Sequence, residues 1–283
     1  EQFCRCIASI AFFCNSGMEF LKEIAKFKAF SRLFGELCLH RYGVENPKQR
    51  RFRYGVQVRS LDLTEAQPYN NLIRIAFEAL GVILSAEGRC LSLQLPGFRE
   101  ATQLPDQYEK ELSLRIQQIL ALETDVLRLY DPAHPDIFYG APVMEGMVAE
   151  ISKEVRAEMA RVADMGGIVS ALEYVKNQLT LSLSAHRMGV VSGTTPLVGV
   201  NCYQTTVQPK DGGVEQSSAV DPDLIRRQVE RLQALRRKRS DSDVAAAIQA
   251  LKEAARTGSN IMPPSIAAAR ALVTTGEWAA ALE

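Results

Sequence analysis

Six cysteines, at positions 4, 6, 14, 38, 90 and 202, are the side chains here best suited to metal or redox chemistry. Their spacing argues against both, because zinc and dithiol sites use paired C-x-x-C ligands and none occurs. Cys4 and Cys6 stand two residues apart, which on a strand would point both thiols to one face. No second ligand pair follows them, so all six are expected to be reduced, buried packing groups of a cytosolic protein. The other concentrated chemistry is Arg236-Arg237-Lys238-Arg239, a run of the kind that can bind nucleic acid or serve as a targeting signal. It closes a helical pattern that opens with Asp221 and Asp223, the charge order favoured by the helix dipole, and is expected to be a solvated helix end.

The whole-chain composition agrees. Thirty-three basic residues balance thirty-three acidic ones over 283 residues, so no global field draws nucleic acid or an anionic membrane. A hydrophobic content of 47% is ample for a packed core. No uncharged apolar run reaches the length of a membrane span, and the apolar start around Arg5 lacks the charged region and cleavage pattern of a signal peptide. Residue 1 is Glu, directly inside an apolar run, as expected where a preceding segment is missing or lies on another chain.

The elements that must position any site follow a clear order. Three β-prone segments, Cys4–Phe13, Phe52–Arg59 and Arg89–Leu95, each precede a helical pattern, over 18–38, 69–84 and 107–127. Strand alternating with helix predicts parallel strands joined by crossover helices. In the second helix Leu72, Ile73, Ala76, Phe77, Leu80 and Ile83 make a 3.6-period stripe, and Thr64-Glu65 with Pro68 marks its start. Three such units are too few to close an eight-stranded barrel. After Pro142 the pattern is helical: Met144–Asp164, a break at Met165-Gly166-Gly167, then Ile168–Val191, stopped by Ser192-Gly193-Thr194-Thr195-Pro196. Leu197–Asn201 is a short β-prone run. Residues 208–220, rich in Gly, Ser, Gln and Lys, read as a linker, after which Asp221-Pro222 opens a helical segment over 221–283.

The run from Phe12 to Ala29 passes from an apolar stretch through Gly17 into an amphipathic helix, and it closely resembles a signature of the adenosylcobalamin-dependent acyl-CoA mutases, the methylmalonyl-CoA mutase family. Leu63-Thr64-Glu65-Ala66-Gln67-Pro68-Tyr69-Asn70-Asn71 is similar to that family's L-T-E-Q-D-P-Y-N-N. Phe98-Arg99-Glu100-Ala101 with Leu104-Pro105 resembles its F-D-E-A and L-P, and Leu114–Ile119 the helix that follows. Asp164–Gly167 and Val198–Asn201 complete a likeness that covers nearly the whole chain. It implies an α/β fold: residues 1–142 as the C-terminal part of a TIM-type (β/α)8 barrel, and 143–207 as a helical extension packed on it. It also implies a radical carbon-skeleton rearrangement, in which the cofactor supplies a deoxyadenosyl radical and an acyl-CoA is threaded through the barrel.

Carried over by position, the resemblance assigns Gln57 and Arg59 to substrate and Ser60, Glu100 and Ala101 to the cofactor. Gln57 is retained from the family's H-C-Q-T-S-G, whereas its His falls on Gly55 and its Gly on Ser60. Arg59 is a new charge near a strand end, suited to a phosphate or carboxylate; the bland alternative is a solvated strand-end arginine. Gln57 could instead satisfy a backbone group, and Glu100 could cap the helix that begins near Asp106. The R-x-S that helps hold CoA falls on Ser9 and Ala11, and the D-P-x-G-G-S-Y motif departs after Asp131-Pro132 into Ala133-His134-Pro135-Asp136. No D-x-H-x-x-G segment is present, and His40, His134 and His186 lack its surroundings, so no metal ligand and no catalytic residue is assigned. The likeness therefore implies partners: a cobalamin-binding subunit and a chain carrying the N-terminal half of the barrel. The alternative is a catalytically silent structural subunit of a mutase complex.

Overall fold

The computed structural model describes residues 2–102, 104–126, 137–205 and 222–283. The Asp131–Asp136 segment, His134, the 208–220 linker and Asp221 lie outside the described residues. The chain divides into two compact units, Glu1–Val214 and Glu215–Glu283. In the first, a three-stranded parallel sheet is built from β1 (Phe12–Ser16), β2 (Tyr54–Val58) and β3 (Ser92–Gln94), in that order. Helices α2 (Phe20–His40) and α3 (Asn70–Ile83) form the crossovers, and α4 (Gln107–Leu122) follows β3. The expected alternation of strand and helix is therefore present as an α/β layer. Helices α5 (Pro142–Asp164) and α6 (Leu172–Ser192) follow it. No described helix is long and apolar enough to cross a membrane.

The first expected strand is corrected. Gln2–Ser9 is a helix, α1, and β1 begins only at Phe12. The apolar residues decide it: Cys4 and Ile7, three apart, pack on Cys38 and Val44, while Phe3 meets the Tyr42 ring at 5.6 Å. That spacing belongs to a helix rather than a strand. Cys4 and Cys6 consequently do not share a face, and of the six cysteines expected to be buried only Cys38 is; Cys6 is exposed and Cys4, Cys14, Cys90 and Cys202 are half-buried. Helix α6 also starts later than its pattern suggests, because Gly166 and Gly167 both adopt left-handed φ, 92° and 94°, and a turn intervenes.

One face of the sheet is packed. Tyr54 and Val56 meet Phe27 of α2 and Val82 of α3, while Val58 and Leu95 pack with Ile75, Ala79 and the α4 residues Leu112 and Ile116. Met144 and Val148 of α5 cover Ile24, Ala25 and Ala29 of α2, so the helical extension lies over the outside of the α/β layer. That contact carries a charge cluster. Arg32 of α2 donates to Glu145 of α5 at 2.5 Å and to Glu87 at 2.8 Å, and fully buried Lys28 stands 3.4 Å from Glu145. The Arg32 hydrogen bonds hold the Glu145 carboxyl down to about 2. Its contribution is present above the ordinary value of 4.5 and is lost as pH falls toward 2. Glu145→Ala should cost about 2–3 kcal/mol in denaturant unfolding at pH 7, because it removes the carboxylate that Arg32 forks and that stands 3.4 Å from buried Lys28; the partial exposure of Glu145 keeps the cost below that of a fully buried pair.

The second unit contains α7 (Pro222–Lys238), α8 (Asp241–Arg256), α9 (Met262–Arg270) and α10 (Thr275–Ala280). Arg236, Arg237 and Lys238 form the exposed last turn of α7, as expected of a solvated helix end. Arg239 departs from that expectation, since its guanidinium grips the Glu277 carboxylate with two 2.6 Å bonds and donates to the Leu272 carbonyl. Glu277 in turn closes a capping box with Thr274 at the start of α10.

Candidate functional site

The other face of the sheet is bare. In register across the three strands, Asn15, Gln57 and Gln94 make one row, and Phe13, Gly55 and Ser92 make the next. Asn15, Ser92 and Gln94 are exposed, and Phe13 is 68% exposed. The alternation of strand side chains makes this inevitable once Phe12, Cys14, Tyr54 and Val56 turn toward the helices. No hydrogen bond is found for the Gln57 amide among the described residues, so the backbone-satisfying role is not the one it plays. Gly55 is hemmed in: a Cβ there would overlap Ser92 Oγ and touch the Phe13 ring. A side chain at this position would require the Ser92 hydroxyl to turn away, while the Phe13 ring already stands at ordinary contact distance.

At the C-terminal edge of the sheet stand the loops after β2 and β3. They bring half-buried Ser60 and Glu100 and exposed Ala101 to the same edge. Asp106 caps α4 itself, accepting from the Glu109 N–H at 2.8 Å, so Glu100 is not the cap. Arg99 braces the β3 loop, donating to buried Glu109 at 2.5 Å and to Asp106 at 3.4 Å. Arg59 goes a different way from Gln57. Its Nε lies 3.3 Å from Asp62, which also receives His186 Nε2 of α6 at 2.9 Å. These groups line a cavity of about 640 Å3 with Gly17, Ile73 and Leu197. The two residues assigned to substrate are thus near neighbours in sequence but serve different surroundings.

Beneath that cavity Glu78 of α3 is wholly buried, and neither carboxylate oxygen has a hydrogen-bond partner. Burial first, and then Asp62, push its carboxyl up to about 8. His40 ends α2 and His186 lies on α6, and among the described residues no group of His, Cys, Asp and Glu could hold a metal ion.

The N-terminal edge holds what the sequence reading missed. A cleft of about 750 Å3 is lined by Lys48, Arg50 and Arg51 from the approach to β2 and by Arg89 from the approach to β3. Among the described residues none of these four cations has an ion-pair partner. Arg89 is held at φ 51°, a left-handed conformation costly for a residue with a side chain. The run Lys48-Gln49-Arg50-Arg51 was a signal in the sequence, but its meeting with Arg89, some forty residues on, required the parallel pairing of β2 with β3. Ser9 and Ala11 precede β1 at this same edge, so the charge absent there is present nearby on other residues.

A family model described as methylmalonyl-CoA mutase matches residues 4–283. Ethylmalonyl-CoA mutase of Cereibacter sphaeroides is 44% identical over 283 residues, which is 100% of this chain and 43% of that protein. Ethylmalonyl-CoA mutase of Methylorubrum extorquens is 43% identical over 280 residues, 98% of this chain and 40% of that protein. The 2-hydroxyisobutanoyl-CoA mutase large subunit of Aquincola tertiaricarbonis is 29% identical over 271 residues, 95% of this chain and 46% of that protein. The chain spans less than half the length of these relatives. With a match running nearly end to end, on a parallel α/β layer that carries the signature run on β1 and α2, the chain belongs to the methylmalonyl-CoA mutase family.

Proposed function

We propose that these residues form the C-terminal strands of the barrel of an adenosylcobalamin-dependent acyl-CoA mutase, completed by polypeptide beyond them that carries the N-terminal barrel half and by a cobalamin-binding subunit. The observation that carries this reading is the bare, polar face of a parallel sheet. Parallel sheets are normally covered on both faces, so a row such as Asn15, Gln57 and Gln94 is suited to the inside of a closed barrel around a polar ligand. The unpaired edges of β1 and β3 are where further strands would join.

An acyl-CoA is the ligand whose chemistry fits both ends. Its phosphates suit the four unpaired cations at the N-terminal edge, and its amide-bearing arm suits the free amides of the bare face. A five-residue strand is about 17 Å long, so one extended ligand reaches from the cleft to the C-terminal edge. There Gln57 and Glu100, both without side-chain hydrogen bonds among the described residues, offer polar atoms to a thioester or an adenosyl group. When bound, adenosylcobalamin supplies an organic radical that abstracts hydrogen from the acyl group. The residues fit one side of that cofactor only: Ser60, Glu100 and Ala101 would face it, and among the described residues neither His40, at the end of α2, nor His186, held by Asp62, is placed to ligate cobalt. This chain's own task is to bind, orient and exclude water. Six free thiols fit a reducing compartment, and we place the assembly in the cytoplasm.

Gly55, Ser9 and Ala11 favour a second reading, a catalytically silent structural subunit. Co-purification of the assembled protein, absorbance for a corrinoid and an acyl-CoA isomerisation assay separate the two. A corrinoid with turnover supports the mutase; an assembly without corrinoid overturns it in favour of the silent subunit.

A further inference from the structure

Three segments that meet at the C-terminal edge come from distant parts of the chain: the loop after β2, the loop after β3, and residues 196–203 beyond α6. They converge on two side chains in the first turns of α3. Asn71, wholly buried, accepts the Thr64 N–H at 3.1 Å and donates to the Thr64 carbonyl at 2.8 Å and the Phe98 carbonyl at 2.7 Å. Arg74, 7% exposed, donates to Thr64 Oγ1 at 2.9 Å, to Asn71 Oδ1 at 2.6 Å and to the Val198 carbonyl at 2.8 Å. Every acceptor of this guanidinium is neutral, and burial lowers its pKa. An apolar residue would pack a helix face at lower electrostatic cost, so the fork is explained by the acceptors it satisfies. Around it, Gln67 donates to the Tyr203 carbonyl at 3.0 Å and the Tyr69 and Phe98 rings stack at 5.4 Å, joining the same segments a second time.

We propose that Asn71 and Arg74 are positioning residues that lock the Ser60 loop, the Glu100-Ala101 loop and the Val198 segment into one rigid support. That the support serves the cofactor rests on the function proposed above; the locking itself does not. Arg74 is the member that reaches the extension, and its fork is what a lysine cannot copy.

Hydrogen exchange on the full chain in its assembled form, alongside titration with adenosylcobalamin, tests this. In Arg74→Lys the amides of 199–201 should exchange about tenfold faster, while those of 100–102 and of β1 to β3 keep their protection. In Asn71→Ala the increase should fall on 63–64 and 100–102. Thr64→Val, which removes one acceptor of Arg74 and a long 3.5 Å hydroxyl bond to Asn71 but keeps the Thr64 backbone bonds to Asn71, carries the test if Asn71→Ala does not fold. Unchanged exchange at 199–201 in Arg74→Lys, or a uniform rise through the whole unit, overturns the locking. Faster exchange confined to these segments with weakened cofactor binding upholds the whole proposal. The same exchange pattern with unaltered cofactor affinity upholds the locking and overturns the placement of the cofactor.

Discussion

Reversing Arg51 and Arg89 together to glutamate should raise the KM for the proposed acyl-CoA substrate by about a hundredfold or more and leave kcat at saturation nearly unchanged. Each cation lacks a counterion among the described residues, so a phosphate is the partner its charge calls for, and a charge-assisted contact of about 1.5–3 kcal/mol is lost twice and replaced by repulsion. The cleft is at the N-terminal edge, remote from Ser60 and Glu100, which is why binding and not turnover should respond. Wild-type KM should also climb with salt, and the reversed variant should show little of that dependence. Steady-state kinetics of the assembled enzyme at two ionic strengths decide it, with exposed Lys153→Glu on α5 as the control. A double variant with wild-type KM would remove the cleft from the substrate path. A collapse in kcat at unchanged KM would place these arginines in the architecture instead.

The second large effect is on stability. Glu78→Gln should flatten the dependence of stability on pH and leave the protein more stable than wild type at pH 8. The Glu78 carboxyl is wholly buried with both oxygens unpartnered, and its pKa is raised from 4.5 to about 8. Burial is the leading cause, Asp62 and Glu23 add to it, and Arg59 and Arg74 oppose it. A folded pKa above the unfolded one means that the contribution is complete below 4.5 and declines as pH rises toward 8. Over that interval the unfolded state ionises freely while the folded state resists. The total decline is on the order of 4 kcal/mol. Glutamine has the shape of the protonated acid and no charge to gain, so the two proteins should agree near pH 4.5 and diverge above it. Urea unfolding from pH 5 to 8 measures this; parallel curves would mean that Glu78 finds a partner when ionised.

Much of the architecture was legible because its signals are local. The helical period of α3, the glycine stop between α5 and α6, and the run from Phe12 into α2 are signals that a short window contains. The period did not choose the buried face of α3: Ile73 and Phe77 of the expected stripe are exposed, and Ile75, Ala79 and Val82 pack inward with Asn71, Arg74 and Glu78. Cys4–Phe13 misled for the same reason. A short apolar run has no period of its own, and α1 owes its form to Cys38 and Val44, which lie more than thirty residues away. The candidate site divides along the same line. Gln57, Ser60, Glu100 and Ala101 were found by likeness to a motif, and the structure brings the last three to one edge. Arg59 was singled out as a departure from that motif, and its charge faces Asp62, which also holds His186 of a distant helix.

The sequence by itself determined the alternation of strand and helix, the family, and the residues to inspect, since each is written in neighbouring positions. Only the tertiary structure decided which sheet face stays bare, which cations gather without partners, and that Arg74 meets Val198 across 124 residues. Those facts depend on strand register and on the packing of remote segments. A buried charge or an open face is a property of the space around a residue, and that space is filled by parts of the chain its neighbours in sequence do not specify.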